Sequence, residues 1–128
     1  MTTLSVDADI PAGTDLLGKS VTDLQENIVI GNGSITGTLK HVTGYTGFSG
    51  DPTEQEGNYL VLHFEGDADS ISVELVGGLH GPVTLDEDGI IILRIINNNE
   101  VVKVTARKAG ELDKISEYYL TDLVLAEE

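Results

Sequence analysis

A chain of 128 residues with 40% hydrophobic content suits one domain, large enough to bury a core and too apolar to stay disordered. Seven basic residues against 22 acidic ones give a formal net charge of −15, which repels phosphate backbones and anionic membranes and argues against nucleic acid or membrane as partners. With no cysteine, disulfides, thiolate metal ligands and cysteine nucleophiles are excluded together.

Residues 1–26 read as an N-terminal arm. They are polar, broken at Pro11-Ala12-Gly13, and show no sustained alternation. Leu16, Leu17, Val21 and Leu24 are spaced to allow a short helical turn, so the arm is expected to be irregular or partly helical, packing loosely or ordering on a partner. Asp7 and Asp9 stand where a signal peptide would need a basic start and an apolar core, so synthesis in the cytoplasm without such a signal is expected.

From residue 27 to residue 128 the pattern is that of strands. Residues 27–30 are short and apolar and run into the turn signal Gly31-Asn32-Gly33. Residues 34–42 alternate, with Ile35, Gly37, Leu39 and His41 on one face. Residues 43–57 form a long loop rich in Gly, Thr and Ser, in which Tyr45 and Phe48 are aromatic anchors. Residues 59–65 place Leu60, Leu62 and Phe64 on one face, and Gly66-Asp67-Ala68-Asp69 turns the chain into a strand with Ile71, Val73 and Leu75 inward. After breaks at Gly77-Gly78 and Gly81-Pro82, a short strand over 83–85 and a turn over 86–89 follow. Residues 90–96 are nearly continuous Ile and Leu, as expected of a strand covered on both faces, and are far shorter than the ~20 residues of a membrane-spanning helix. Asn97-Asn98-Asn99 turns into a strand with Val102, Val104 and Ala106 on one face, residues 108–114 form a charged hairpin loop, and 116–125 close the chain as a last strand. Such short strands between frequent turns predict an all-β, single-domain antiparallel β-sandwich of the immunoglobulin-like kind.

Little in this pattern supports chemistry. His41, His63 and His80 show no i, i+2 or i, i+4 pairing that would put two imidazoles on one metal. The acidic turns at Asp67 and Asp69 and at Asp86, Glu87 and Asp88 lack the ligand spacing of an EF-hand loop, leaving a weak calcium site between adjacent loops as an alternative. Ser49 has no strand-to-helix elbow around it, and no glycine pattern matches a phosphate loop. No catalytic, cofactor-binding or metal residue is expected, and an enzyme ranks last among the readings. The residues expected to dock a partner are Leu16, Leu17, Val21 and Leu24 of the arm and Tyr45 and Phe48 of the long loop.

Three stretches carry a resemblance. The run from Ile35 through Gly37, His41, Tyr45, Phe48 and Pro52 to Gln55 and Leu60, the run His80-Gly81-Pro82-Val83-Thr84-Leu85-Asp86-Glu87-Asp88-Gly89-Ile90-Ile91, and Tyr119-Leu120-Thr121-Asp122-Leu123 together resemble the head fiber proteins of phages and prophages of low-GC Gram-positive bacteria. The resemblance spans about residues 21 to 125 and is one of overall pattern. It implies a non-enzymatic virion structural protein on the capsid exterior, with the phage major capsid protein as its partner and a homo-oligomer at capsomer centres as one arrangement. The chain has no heptad or collagen-like shaft, so a compact decoration domain is expected rather than a projecting fiber. The alternative is an immunoglobulin-like binding module that recognises a carbohydrate or a cell-surface partner through its loops.

Overall fold

The computed structural model describes residues 3–8, 10–11, 14–49, 53–77, 82–84 and 89–127. They form an all-β, multi-sheet domain with one small helical element. In chain order the elements are β1 (Leu4–Asp7), α1 (Val21–Leu24), β2 (Gln25–Ile30), β3 (Ile35–Leu39), β4 (His41–Tyr45) and β5 (Gln55–Gly66). There follow β6 (Ser70–Val76), β7 (Val83–Thr84), β8 (Ile90–Ile95), β9 (Val101–Arg107), β10 (Lys114–Tyr119) and β11 (Leu123–Leu125). Most of the expected break from Gly77 to Pro82, the end of the strand expected over 83–85 and most of the turn expected over 86–89 lie outside the described residues, and with them His80, Asp86, Glu87 and Asp88.

One 4-stranded sheet is built on β5, a second runs β10-β9-β6-β7, and a 3-stranded sheet runs β11-β3-β2. The expectation of a wholly antiparallel fold is corrected among the described residues: β11 lies parallel to β3, with Leu123 beside Gly37 and Leu125 beside Leu39, and Ser34 makes a parallel bridge to Tyr119. In the second sheet Val73, Val102, Val104 and Ala106 are fully buried, as their alternation predicts, while Ile71 is only partly covered.

The β5–β8 pair is the centre of the domain. On one face Leu60, Leu62, Phe64, Ile91, Leu93 and Ile95 are buried; on the other, Tyr59 and Val61 have no exposure at all. A strand buried on both faces needs cover on the second face, and residues 1–26 supply part of it. The segment expected to be an arm is therefore built into the body where it is described: β1 pairs with β5, and Ile10, Leu16 and Leu24 join the core. Thr3 donates its N–H to the Asp67 carboxylate at 2.7 Å, Lys108 pairs with the same carboxylate at 3.0 Å, and Thr3 above all holds the Asp67 pKa down at about 2.

The edges of the pair are closed by side chains. β1 and β8 both pair with His63, and β4 and β8 both pair with Asn58, so β1 and β4 must share the β5 edge opposite β8. Between them that edge is open over residues 59–62. Gln25, only 4% exposed, fills the opening: its amide nitrogen donates to the Val61 carbonyl at 3.0 Å and its amide oxygen accepts the Val61 N–H at 2.9 Å. The carboxamide thus stands in for a strand residue, satisfying two buried backbone groups that no strand reaches. On the far edge Ser49 does the same for Ile92, donating its N–H to the Ile92 carbonyl at 3.0 Å while its hydroxyl accepts the Ile92 N–H at 2.9 Å.

Glu100, in the turn before β9, is 3% exposed and its Oε2 has no hydrogen-bond partner among the described residues. Desolvation raises its pKa above the ordinary 4.5, against the lowering pull of the Asn97 and Ile96 backbone N–H groups and Arg94. Because the folded pKa exceeds the unfolded one, ionisation opposes folding. That cost is absent below the unfolded value, grows as pH rises through the folded value, and is complete above it. Glu100→Gln is expected to raise stability by about 1 kcal/mol near neutral pH and to change nothing at pH about 3. Urea denaturation at the two pH values checks this; a gain equal at both would refute ionisation as its source.

Candidate functional site

The covering of the second face is incomplete, and the gap is a partly open cleft of about 430 Å³. One wall is Thr14, Asp15, Leu16 and Leu17; the other is Thr46, Gly47, Phe48 and Ser49; Ile90 and Ile92 line it between them. A volume of that size lies within the range of clefts that seat small ligands or anchoring side chains, roughly 300–1,000 Å³.

The first wall is a tight hairpin turn rather than the beginning of a helix. Leu16 donates its N–H to Lys19 at 2.8 Å and accepts the Lys19 N–H at 3.4 Å, leaving Leu17 and Gly18 as a two-residue loop. Their φ angles are 56° and 88°, both positive as in a type I′ turn, a geometry that favours Asn-Gly and disfavours leucine at its first position. The Asp15 carboxylate accepts the Gly18 N–H at 2.9 Å, and Tyr45 donates its hydroxyl to the Leu16 carbonyl at 2.7 Å, so the turn is tied down on both sides. Tyr45 in turn meets Tyr59 edge to face at 4.9 Å, and burial pushes its hydroxyl pKa up to about 12. Helix forms only afterwards, at α1, where the Asp23 carboxylate accepts the Ser20 N–H at 2.9 Å.

The structure gathers some of the expected docking residues and removes others from the surface. Leu16 and Phe48 line the cleft from its two walls, and Tyr45 lies behind it, but Leu16, Tyr45 and Phe48 are 6%, 2% and 3% exposed and serve mainly as core. Leu24 is fully buried, and Val21 packs partly against the core. Only Leu17 presents itself to solvent, at 65% exposure. It is thus an exposed apolar side chain held in a left-handed backbone whose cost for an L-residue is roughly 1–2 kcal/mol. Leu17→Asn and Leu17→Gly are both expected to raise stability, by about 1 kcal/mol, in chemical denaturation. A loss with both would show that the leucine side chain stabilises the fold and is not merely tolerated there.

The sequence contained a signal for this turn, a Gly at 18 three residues after an Asp at 15, but the helical spacing of the leucines masked it. Residues Gln25 and Ser49, which close the sheet edges, carry no such signal.

Two of the three histidines, His41 and His63, are described, and neither lines the cleft. His63 lies between Asp7, at 3.4 Å from Nδ1, and Glu65, at 3.9 Å from Nε2. His41 reaches Glu56 at 4.0 Å. Among the described residues no group of three or more His, Asp or Glu is placed to hold a metal ion. No helix among them is long and apolar enough to cross a membrane. No family model matches the chain, and no curated protein or solved structure matches it.

Proposed function

We propose that this chain is a non-enzymatic structural protein of a phage head, a decoration domain attached to the capsid exterior through the cleft and its Leu17 rim, with the major capsid protein as its partner. In this reading its sheets stack as an immunoglobulin-like β-sandwich, and the protein is made in the bacterial cytoplasm and ends in the virion. The observation that carries the docking part is Leu17: an apolar side chain exposed at 65%, in a conformation that costs stability, on the rim of an apolar cleft. Such a residue is hard to explain by folding and simple to explain by contact with a partner. The phage assignment is supported by the resemblance over residues 35–60, 80–91 and 119–123. A net charge of −15 also suits a protein displayed in many copies, which must stay soluble.

The test is compositional. Particles induced from the source strain and purified on a gradient should contain this chain at a fixed ratio to the major capsid protein, read by mass spectrometry. Clean particles without it, beside detectable protein in the lysate, would favour the second reading, an immunoglobulin-like module that binds a carbohydrate or cell-surface partner. The same cleft, set between two chain connections, favours that reading if the capsid one fails.

A further inference from the structure

We propose that the cleft takes a basic segment of a partner protein, seating one aliphatic or aromatic side chain against Ile90, Ile92 and Phe48 under Leu17 and placing a Lys or Arg beside Asp15. This inference rests on the docking reading above and names the chemistry of the occupant. The lining is apolar at Leu16, Leu17, Phe48, Ile90 and Ile92, so an apolar side chain gains by leaving water there. Among the described residues the cleft's polar members are Thr14, Asp15, Thr46 and Ser49, and of these Asp15 carries charge. The surrounding surface belongs to a chain with 22 acidic residues and seven basic ones, so an approaching cationic segment is steered in and an anionic one is repelled. A second copy of this chain, also at −15, meets that repulsion in full. The Asp15 carboxylate already accepts the Gly18 N–H at 2.9 Å, which holds it at the hairpin beside Leu17. Apolar anchor and charge are therefore offered at adjacent positions, which suits a partner with an apolar and a basic residue next to each other.

The experiment titrates the full chain with a capped Lys-Phe-Lys tripeptide by heteronuclear NMR, with Glu-Phe-Glu and Lys-Gly-Lys as controls. The basic aromatic peptide should shift amides of residues 14–17, 46–49 and of Ile90 and Ile92, and the two controls should bind about tenfold more weakly or not at all. Leu17→Asn, a variant suited to the turn, should weaken the response about tenfold while remaining folded, and Asp15→Asn should weaken the Lys-Phe-Lys response and reduce its salt dependence. Shifts centred away from the cleft, equal binding of Glu-Phe-Glu, or no response at millimolar peptide would overturn the proposal. So would concentration-dependent self-association that Leu17→Asn abolishes, which would make a second copy the occupant. Sedimentation with purified particles separates the two readings: a cleft that responds in a protein missing from particles keeps this inference and loses the capsid, and the opposite result does the reverse.

Discussion

Gln25→Leu is expected to cost about 2–5 kcal/mol, among the largest losses any single polar residue of this chain can cause. The reason is that its carboxamide replaces a missing strand, bonding both the Val61 N–H and the Val61 carbonyl at the gap between β1 and β4. Leucine matches glutamine in size, so the change removes hydrogen bonds without opening a large cavity. Each orphaned backbone group then bears a desolvation penalty of about 1–3 kcal/mol, because Val61 is fully buried and water has no ready access. Gln25→Glu tests the same geometry through pH. An ionised carboxylate can still accept the Val61 N–H, but it sets negative charge against the Val61 carbonyl. A protonated carboxyl can donate to that carbonyl, so this variant should recover relative to wild type as pH falls below the carboxylate range. Urea denaturation gives both numbers. A Leu variant within about 0.5 kcal/mol of wild type would mean that another group takes over at the edge.

Gln25 also shows where sequence reading stops. The strands β5, β6, β8 and β9 are legible because their side chains alternate or run apolar, and burial of one or two faces imposes that pattern directly. Changes of sheet are not legible. Residues 34–42 read as one strand, yet the chain passes from the 3-stranded sheet to the β5 sheet at Lys40, whose N–H goes to the Leu24 carbonyl at 2.8 Å. The buried positions shift there from Ile35 and Leu39 to Val42 and Tyr45. A period of two continues across such a corner without a visible break, because each half obeys it locally. Residues 116–125 conceal a similar corner: β10 ends at Tyr119, fully buried Leu120 follows, and three residues then join a different sheet in parallel. Residues 1–26 looked detachable because their buried core contacts are the scattered residues Ile10, Leu16 and Leu24, while Leu4, Val6 and Val21 are only partly buried against the core. Sparse contacts of that kind have no period to detect. Within the cleft, the apolar floor was legible as a strand covered on both faces, while the Leu17 turn was obscured by leucines spaced like a helix.

Gly37→Ala is the second change expected to be severe, at about 3 kcal/mol or more. Gly37 is in β3, the middle strand of its sheet, with Leu123 on one side and a bulge of β2 on the other. The bulge lies between the pairs Glu26–Thr38 and Val29–Thr36, so Asn27 and Ile28 together face Gly37, and Asn27 is itself at a positive φ of 57°. A methyl group at Gly37 would come within 2.6 Å of Ile28 Cδ1, 2.8 Å of the Asn27 carbonyl oxygen and 2.9 Å of Ile28 Cα. The first of these can swing aside, but the other two are backbone, so relief requires the bulge to move. Overpacking of this kind costs about 1–3 kcal/mol, and the Gly37 φ of 139° adds the strain of a conformation that alanine avoids. Gly110→Ala separates the two contributions: its φ of 82° is also positive, but a Cβ there meets nothing within 4 Å. That control should lose only about 1 kcal/mol, and the excess at Gly37 measures how rigidly the bulge is held. Hydrogen exchange locates the damage, since β2 and β11 amides should lose protection before those of β5 and β8. Equal losses for the two variants would mean that the bulge yields freely, and that β2, which carries Gln25 to the edge of β5, is fixed by Gln25 itself rather than by its packing on β3.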